Sequence, residues 1–255
     1  MALWTDLPSL LPPPSGAQWL LAFGLNASLI ALAHSLPLLT RAGWVHAGIL
    51  GTLLWGSLGW RGWLAVVLYL ALGSLVTRLG FRRKQEAGLA EGRGGRRGPE
   101  NVWGSAATGA VLALLSTAPA APVGLLLLGF SASFSAKLAD TCGSEIGKRW
   151  GRTTLLITNL RPVPRGTEGA ISLEGSLASL VGSGAMALLM LGLGLIGSWA
   201  AWWLVTLVGL AATLLESLIG ATLQPRLAWL SNELVNGLQT LIAALLALGL
   251  APLLG

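Results

Sequence analysis

Leu125-Leu-Leu-Leu-Gly-Phe130-Ser-Ala-Ser133-Phe-Ser-Ala-Lys137-Leu-Ala-Asp140-Thr-Cys-Gly-Ser144-Glu145-Ile-Gly-Lys148 begins as a run suited to lipid and ends as a run of charge. Lipid penalises a lysine or aspartate in a membrane helix by about 2.5–3.5 kcal/mol on insertion scales, so such residues face a polar cavity or a partner. Ser133, Lys137, Asp140 and Ser144 recur at i, i+4, i+7 and i+11, which places them on one helical face. A membrane helix with a polar stripe confined to one half implies a bundle with a functional site near one surface. An interhelical ion pair is the simpler explanation of Lys137 and Asp140. It requires neither Glu145 nor the long polar loop that follows.

The rest of the chain supports the membrane reading. Of 255 residues, 54% are hydrophobic and only 10% charged, and the mean hydropathy is +0.72. Apolar runs near the ~20 residues that cross a bilayer as helix predict eight spans. They cover about 17–39, 43–60, 62–80, 102–121, 122–142, 176–197, 199–223 and 236–254. The fold class expected is an all-α polytopic membrane helix bundle. It forms one domain over 1–255, with N-terminal helices through 80, the motif-bearing part at 81–240 and the end of the last helix at 241–255.

Fourteen of the sixteen basic residues fall in or beside the loops 40–43, 81–101, 143–175 and 224–235. These loops share one side of an eight-span chain, and the positive-inside bias makes that side cytoplasmic with both termini extracytoplasmic. The net charge of +6 follows from this bias and does not argue for nucleic acid. Met1 to Gly16 holds no Lys or Arg, so it reads as a short extracytoplasmic lead, not a cleavable signal. Trp44, Trp60, Trp63, Trp103, Trp199, Trp202 and Trp203 sit at predicted span ends, as an interfacial belt or packing requires. His34 and His46 read as hydrogen-bonded structural residues. The single cysteine, Cys142, has no histidine near it in sequence and reads as a packing residue.

Three further segments carry polar chemistry. Glu91-Gly-Arg93-Gly-Gly-Arg96-Arg97-Gly-Pro-Glu100-Asn101 is too glycine-rich for a regular helix. It is either an orienting basic loop or an anion clamp, in which backbone N–H groups and arginines grip phosphate. Asn101 either caps the next helix or gives an oxygen to a metal. The 143–175 loop contains Gly147-Lys148-Arg149 and Arg161-Pro-Val-Pro-Arg165-Gly166-Thr167-Glu168-Gly169, a density of basic, hydroxyl and glycine residues that suits a triphosphate. It lacks the strand–GxxxxGK[ST]–helix arrangement of a P-loop. On the seventh span, Glu216 and Ser217 precede Gly220, Thr222 and Gln224, with Asn232 beyond. Asp140, Glu145 and Glu216 then converge on one membrane face, where hard oxygens beside phosphates suit Mg²⁺.

Lys137-Leu-Ala-Asp140-Thr-Cys-Gly-Ser144-Glu145-Ile-Gly-Lys148, Val163-Pro-Arg165-Gly-Thr167-Glu-Gly169-Ala-Ile-Ser-Leu and Ser217-Leu-Ile-Gly-Ala-Thr222-Leu-Gln224 resemble the phytyl-phosphate kinase family of plants and cyanobacteria. The 91–102 segment is similar to that family's upstream motif, so the resemblance covers about 85 to 240. The layout is also remotely similar to the CTP-using phosphatidate cytidylyltransferases, dolichol kinases and phytol kinases. The resemblance implies transfer of the γ-phosphoryl of CTP, or another nucleoside triphosphate, to an isoprenoid monophosphate. Phytyl phosphate would become phytyl diphosphate, a precursor for tocopherol or phylloquinone.

The roles implied are metal binding by Asp140 and Glu216, with Glu145 and Asn101 beside them. Phosphates would fall to Lys137, Lys148, Arg165 and Thr167 with Gly166 and Gly169, and the acceptor phosphate to Arg96 and Arg97. Ser144, Ser217, Thr222, Gln224 and Asn232 complete the site. Position 216, where the family pattern has aspartate, holds Glu216. Cytidylyl transfer or alcohol phosphorylation on a membrane lipid is the alternative chemistry, and a transporter the non-enzymatic one. The expected location is the plasma or thylakoid membrane, with the site facing the cytoplasm.

Overall fold

A computed structural model describes residues 15–254. The lead expected before residue 15 lies outside the described residues. Among the described residues eight α-helices make up the bundle: α1 (Gly16–Ala33), α2 (Arg41–Arg78), α3 (Phe81–Glu86), α4 (Pro99–Leu115), α5 (Val123–Trp150), α6 (Leu173–Gly192), α7 (Trp199–Thr222) and α8 (Asn232–Leu250). Six of them, α1, α2, α5, α6, α7 and α8, are long and apolar enough to cross a membrane.

The expected second and third spans are the two arms of α2. A straight helix of 38 residues would reach about 57 Å, well beyond a bilayer core. Instead Gly59 adopts φ 67°, ψ −164°, a backbone region essentially closed to residues with a Cβ, and the helix folds back there. The fold-back brings Arg78 to the start of the first arm, where its Nη2 donates to Pro37 O at 3.1 Å. Helix α1 lies against both arms. Its Gln18 donates to the carbonyls of Trp55 and Gly56, and its Asn26 accepts from Trp63 Nε1 at 3.0 Å. Trp63 is thus a packing residue, as is Trp103, which donates to His46. Trp60, Trp199 and Trp203 stay exposed, as a belt requires.

Helix α5 is the axis of the bundle. It packs against α2, α4, α6, α7 and α8, and is buried from Leu127 to Ala139. Among membrane helices the surrounding lipid is as apolar as the side chains, so close approach of small residues does much of the packing. Gly143 and Gly147 of α5 accordingly face Ser179 and Gly175 of α6 with no room for a Cβ at position 143. Helix α4 is shorter than the expected fourth span because Pro119 and Pro122 turn the chain after Leu115. Helix α5 is longer than the expected fifth span, ending at Trp150 instead of 142. Ser144, Glu145 and Lys148 are therefore helical, not loop residues.

One small departure from an all-α chain occurs in the 143–175 segment. Strands β1 (Thr154–Leu156) and β2 (Ala170–Ser172) pair antiparallel, with Leu155 opposite Ile171. The hairpin carries the 157–169 loop, and Ser172 then caps α6 by accepting from Gly175 N. The four polar loops all meet at one end of the bundle. Arg97 is held between Leu38 O (3.1 Å) and Thr40 N (3.0 Å), Lys148 reaches Glu91, and Asn101 reaches Glu233.

Candidate functional site

The floor of the site is the polar stripe of α5. Lys137 is 5% exposed, and its ammonium donates to Asp140 Oδ2 at 2.5 Å and to Asn236 Oδ1 of α8 at 2.8 Å. A buried ammonium without such partners would cost several kcal/mol. Asp140 Oδ1 has no hydrogen-bond partner among the described residues, so this carboxylate keeps an oxygen for a ligand. Ser133, at the deep end of the stripe, bonds to Phe130 O within its own helix.

Lys137 and Asp140 do pair, but within α5 at i, i+3 and not between helices as the simpler explanation has it. Their position distinguishes the pair from a merely structural one. It lines a cavity of about 470 Å³ that opens at the polar end of the bundle. The cavity brings together Lys137, Asp140, Ser144, Glu145 and Lys148 of α5, Glu216 and Ser217 of α7, and Asn232 and Asn236 of α8. Arg96, Arg97 and Asn101 enter from the second loop, and Arg165, Gly166, Thr167 and Gly169 from the third. Nearly every residue expected at the site is there.

Two are not in its lining. Thr222 lies six residues beyond Glu216, about 240° further round α7, and donates to Leu218 O within the helix. Gln224 follows the helix end beside Gly220, behind the root of the 157–169 loop.

Two candidate metal ligands are occupied by protein. Glu145 lies about 80° round α5 from Lys137 and turns toward α3. There its carboxylate pairs with Lys84, whose ammonium also donates to Thr77 O at 2.7 Å. Lys84 is 1% exposed and Glu145 2%. Asn101 is a cap: its Oδ1 accepts from Gly98 N at 2.9 Å and from Arg93 Nη2 at 3.2 Å, and Arg93 also pairs with Glu100. Of its two expected roles the structure shows the capping one.

The arginines differ in how firmly they are held. Arg97 donates to Tyr69 OH at 2.9 Å and lies over that ring, so its guanidinium is fixed. Arg96 is exposed, and among the described residues its side chain bonds only to Arg93 O. Lys148 sits 3.3 Å from Glu91 and 3.8 Å from Glu145. Glu168, which the sequence reading left without a role, also lines the cavity. Partial desolvation of its carboxyl in the cavity, although the residue is exposed overall, raises its pKa above the ordinary range. Lys148 opposes the shift, and Asp140 and Glu91 add to it.

Glu233 and Asn236 stand out as polar residues before the last span but had no assigned role, and Lys84 and Tyr69 gave no signal. Cys142 packs against Gly182 of α6. Among the described residues no three His, Cys, Asp or Glu side chains gather closely enough to hold a metal ion by themselves.

A helical membrane bundle with a basic, glycine-rich cavity at one end defines an integral membrane protein with a polar site at one end of its bundle. The chain belongs to the integral membrane protein DUF92 family, whose model matches residues 24–244. It is 52% identical to the uncharacterized membrane protein sll0875 of Synechocystis over 91% of both chains. It is 42% identical to the chloroplastic protein VTE6 of Arabidopsis thaliana, over 91% of this chain and 69% of that one. A membrane protein of Methanocaldococcus jannaschii, MJ0933, is 29% identical over 82% of this chain. The likeness to plant and cyanobacterial proteins read from the motifs is upheld across nearly the whole chain. No solved structure matches it significantly.

Proposed function

We propose that the protein is a membrane kinase of isoprenoid monophosphates, transferring the γ-phosphoryl of CTP to phytyl phosphate. The observation that carries this reading is the Lys137–Asp140 pair on the cavity floor, with Glu216 on the facing helix and arginine- and glycine-rich loops at the rim. The resemblance of the motifs to phytyl-phosphate kinases, with similarity to a chloroplastic plant protein and a cyanobacterial one across nearly the whole chain, supports a role in the tocopherol pathway. The basic loops favour a cytoplasm-facing site in a plasma or thylakoid membrane, with extracytoplasmic termini.

Phosphoryl transfer asks the protein mainly to align two phosphates and neutralise their charge. An oxygen of the lipid monophosphate forms a bond to the γ-phosphorus as the β–γ bridging bond breaks, and CDP leaves with that electron pair. The monophosphate is already nucleophilic, so no strong base is needed. Lys137, Lys148 and Arg165 neutralise the nucleotide's phosphates, with Thr167, Gly166 and Gly169 supplying donors at the rim. Arg97, fixed by Tyr69, and the exposed Arg96 hold the acceptor phosphate. The isoprenoid chain remains among the helices.

Asp140 and Glu216 fit Mg²⁺, which binds through one or two carboxylates and completes its shell with water and substrate oxygens. Bound there, the ion would neutralise charge on the transferring phosphoryl group. Glu145 and Asn101 leave that set because their oxygens serve Lys84 and the α4 cap.

Asp140→Asn tests the assignment. The purified variant keeps an amide oxygen for Lys137 but loses its charge partner, so it should stay folded with a lowered melting temperature and lose essentially all turnover at temperatures where it is folded. Wild-type turnover in that variant would overturn the role given to Asp140.

A further inference from the structure

A second pocket, of about 370 Å³, lies between α3, the last turn of α5 and the 157–169 loop. Its lining is five basic side chains with Ala87 and Leu89, and no carboxylate. Two of the five are neutralised, Lys84 by Glu145 and Lys148 by Glu91. Arg83, Arg149 and Arg165 have no carboxylate partner among the described residues.

Arg149 is built into place. Its stem lies in the space that a side chain at position 80 would fill, where a Cβ would come within 2.6 Å of Nε and 2.7 Å of Cδ. Gly80 sits at φ +62°, so the chain turns there in a conformation that glycine adopts freely. The guanidinium rests over the Trp150 ring at 4.9 Å, and its Nε is buried without a hydrogen-bond partner. An arginine that serves only to orient the chain extends its head into water. Arg149 is instead held by packing with its donors unspent, beside two further guanidiniums.

We propose that Arg83 and Arg149, with Arg165 on the wall shared with the transfer cavity, form a second phosphate-binding pocket beside it, taking a phosphate group from solution or from a phospholipid headgroup. Guanidinium forks match phosphate oxygens in paired, charge-assisted hydrogen bonds, and three of them can share one group. The Lys148–Glu91 and Lys84–Glu145 pairs stand between this pocket and the cavity, so a phosphate here need not be one that reacts. The proposal goes beyond the kinase reading and does not depend on it.

The test uses the full chain in nanodiscs of phosphatidylcholine, with melting temperature as the readout at constant ionic strength. One arm replaces chloride by inorganic phosphate, and the other replaces part of the lipid by phosphatidylglycerol. At least one arm should raise the melting temperature of wild type, of Arg161→Gln (an exposed charge outside the pocket) and of Arg96→Gln (a guanidinium of the cavity alone). Arg149→Gln and Arg83→Gln should need about tenfold more of that anion, as loss of charge-assisted hydrogen bonds requires. Arg83 is exposed, so its variant remains informative if Arg149→Gln folds poorly, and Arg149→Lys should show a partial response. A rise with inorganic phosphate identifies a soluble ligand, and a rise with phosphatidylglycerol alone a headgroup. The proposal is overturned if neither arm raises the melting temperature, if Arg83→Gln and Arg149→Gln titrate like wild type, or if Arg96→Gln alone abolishes the response.

Discussion

Replacing Lys84 by Met should be among the most damaging single changes outside the cavity floor, because it strands a charge. Its ammonium is 1% exposed, and it joins the 2% exposed carboxylate of Glu145 and the carbonyl of Thr77. Removing one member of a buried ion pair costs about 3–5 kcal/mol, because the survivor keeps its desolvation penalty and loses its compensation. For a chain of roughly this size each kcal/mol lowers the melting temperature by about 2–4 °C, so Lys84→Met should fall by about 6–20 °C. Replacing both charges by apolar groups of similar volume is often close to neutral. The double variant Lys84→Met/Glu145→Met should therefore recover most of that loss. Melting curves of the four proteins in one detergent give the coupling directly. Equal losses in the single and double variants would refute the idea of a buried anchoring pair. A double variant that regains stability but has no turnover at all would return Glu145 to the metal set.

Two other consequences are independent of that pair. Gly59→Ala places a Cβ where the backbone has φ 67°, ψ −164°, so the α2 hairpin should be disrupted and the yield of folded protein in detergent should drop sharply; a variant with wild-type yield and melting temperature would contradict the hairpin. Glu168 has a raised pKa chiefly from partial desolvation, so its ionised form is disfavoured in the folded protein. The resulting penalty is full above the folded pKa and absent below the ordinary glutamate value of about 4.3. Glu168→Gln should raise the melting temperature at neutral pH, with the gain shrinking to nothing as pH falls through that window. A gain that grows toward acid pH would show the sign to be wrong.

The helical bundle was legible because lipid leaves few choices: long apolar runs must be helices. The arms of α2 were separable at Gly59-Trp60-Arg61, where composition changes. That a single residue makes the turn was not legible, since it depends on one backbone angle. The convergence of Lys137, Asp140 and Glu216 was readable from helical spacing and from the side of the bundle to which each loop returns. The role of Glu145 was not. It turns on a 61-residue separation from Lys84, and Lys84 sits in an Arg82-Arg83-Lys84 run that looks like an ordinary orienting patch. Asn101 was readable as cap or ligand, and only the position of Gly98 N separates the two. The two short strands escaped for a similar reason. Three residues each, they exist because the 157–169 loop must return to the start of α6.

In the proposed reaction the cavity joins two phosphates by transferring one of them. The most direct measurement incubates the purified full-length protein in nanodiscs with phytyl phosphate, Mg²⁺ and CTP labelled at the γ-phosphate, and resolves the lipid and nucleotide products. Label should appear in phytyl diphosphate with stoichiometric CDP, and both should be lost in Asp140→Asn. Pyrophosphate released alongside a CDP-linked lipid, or a wild-type protein that leaves both substrates unchanged, would contradict that reaction.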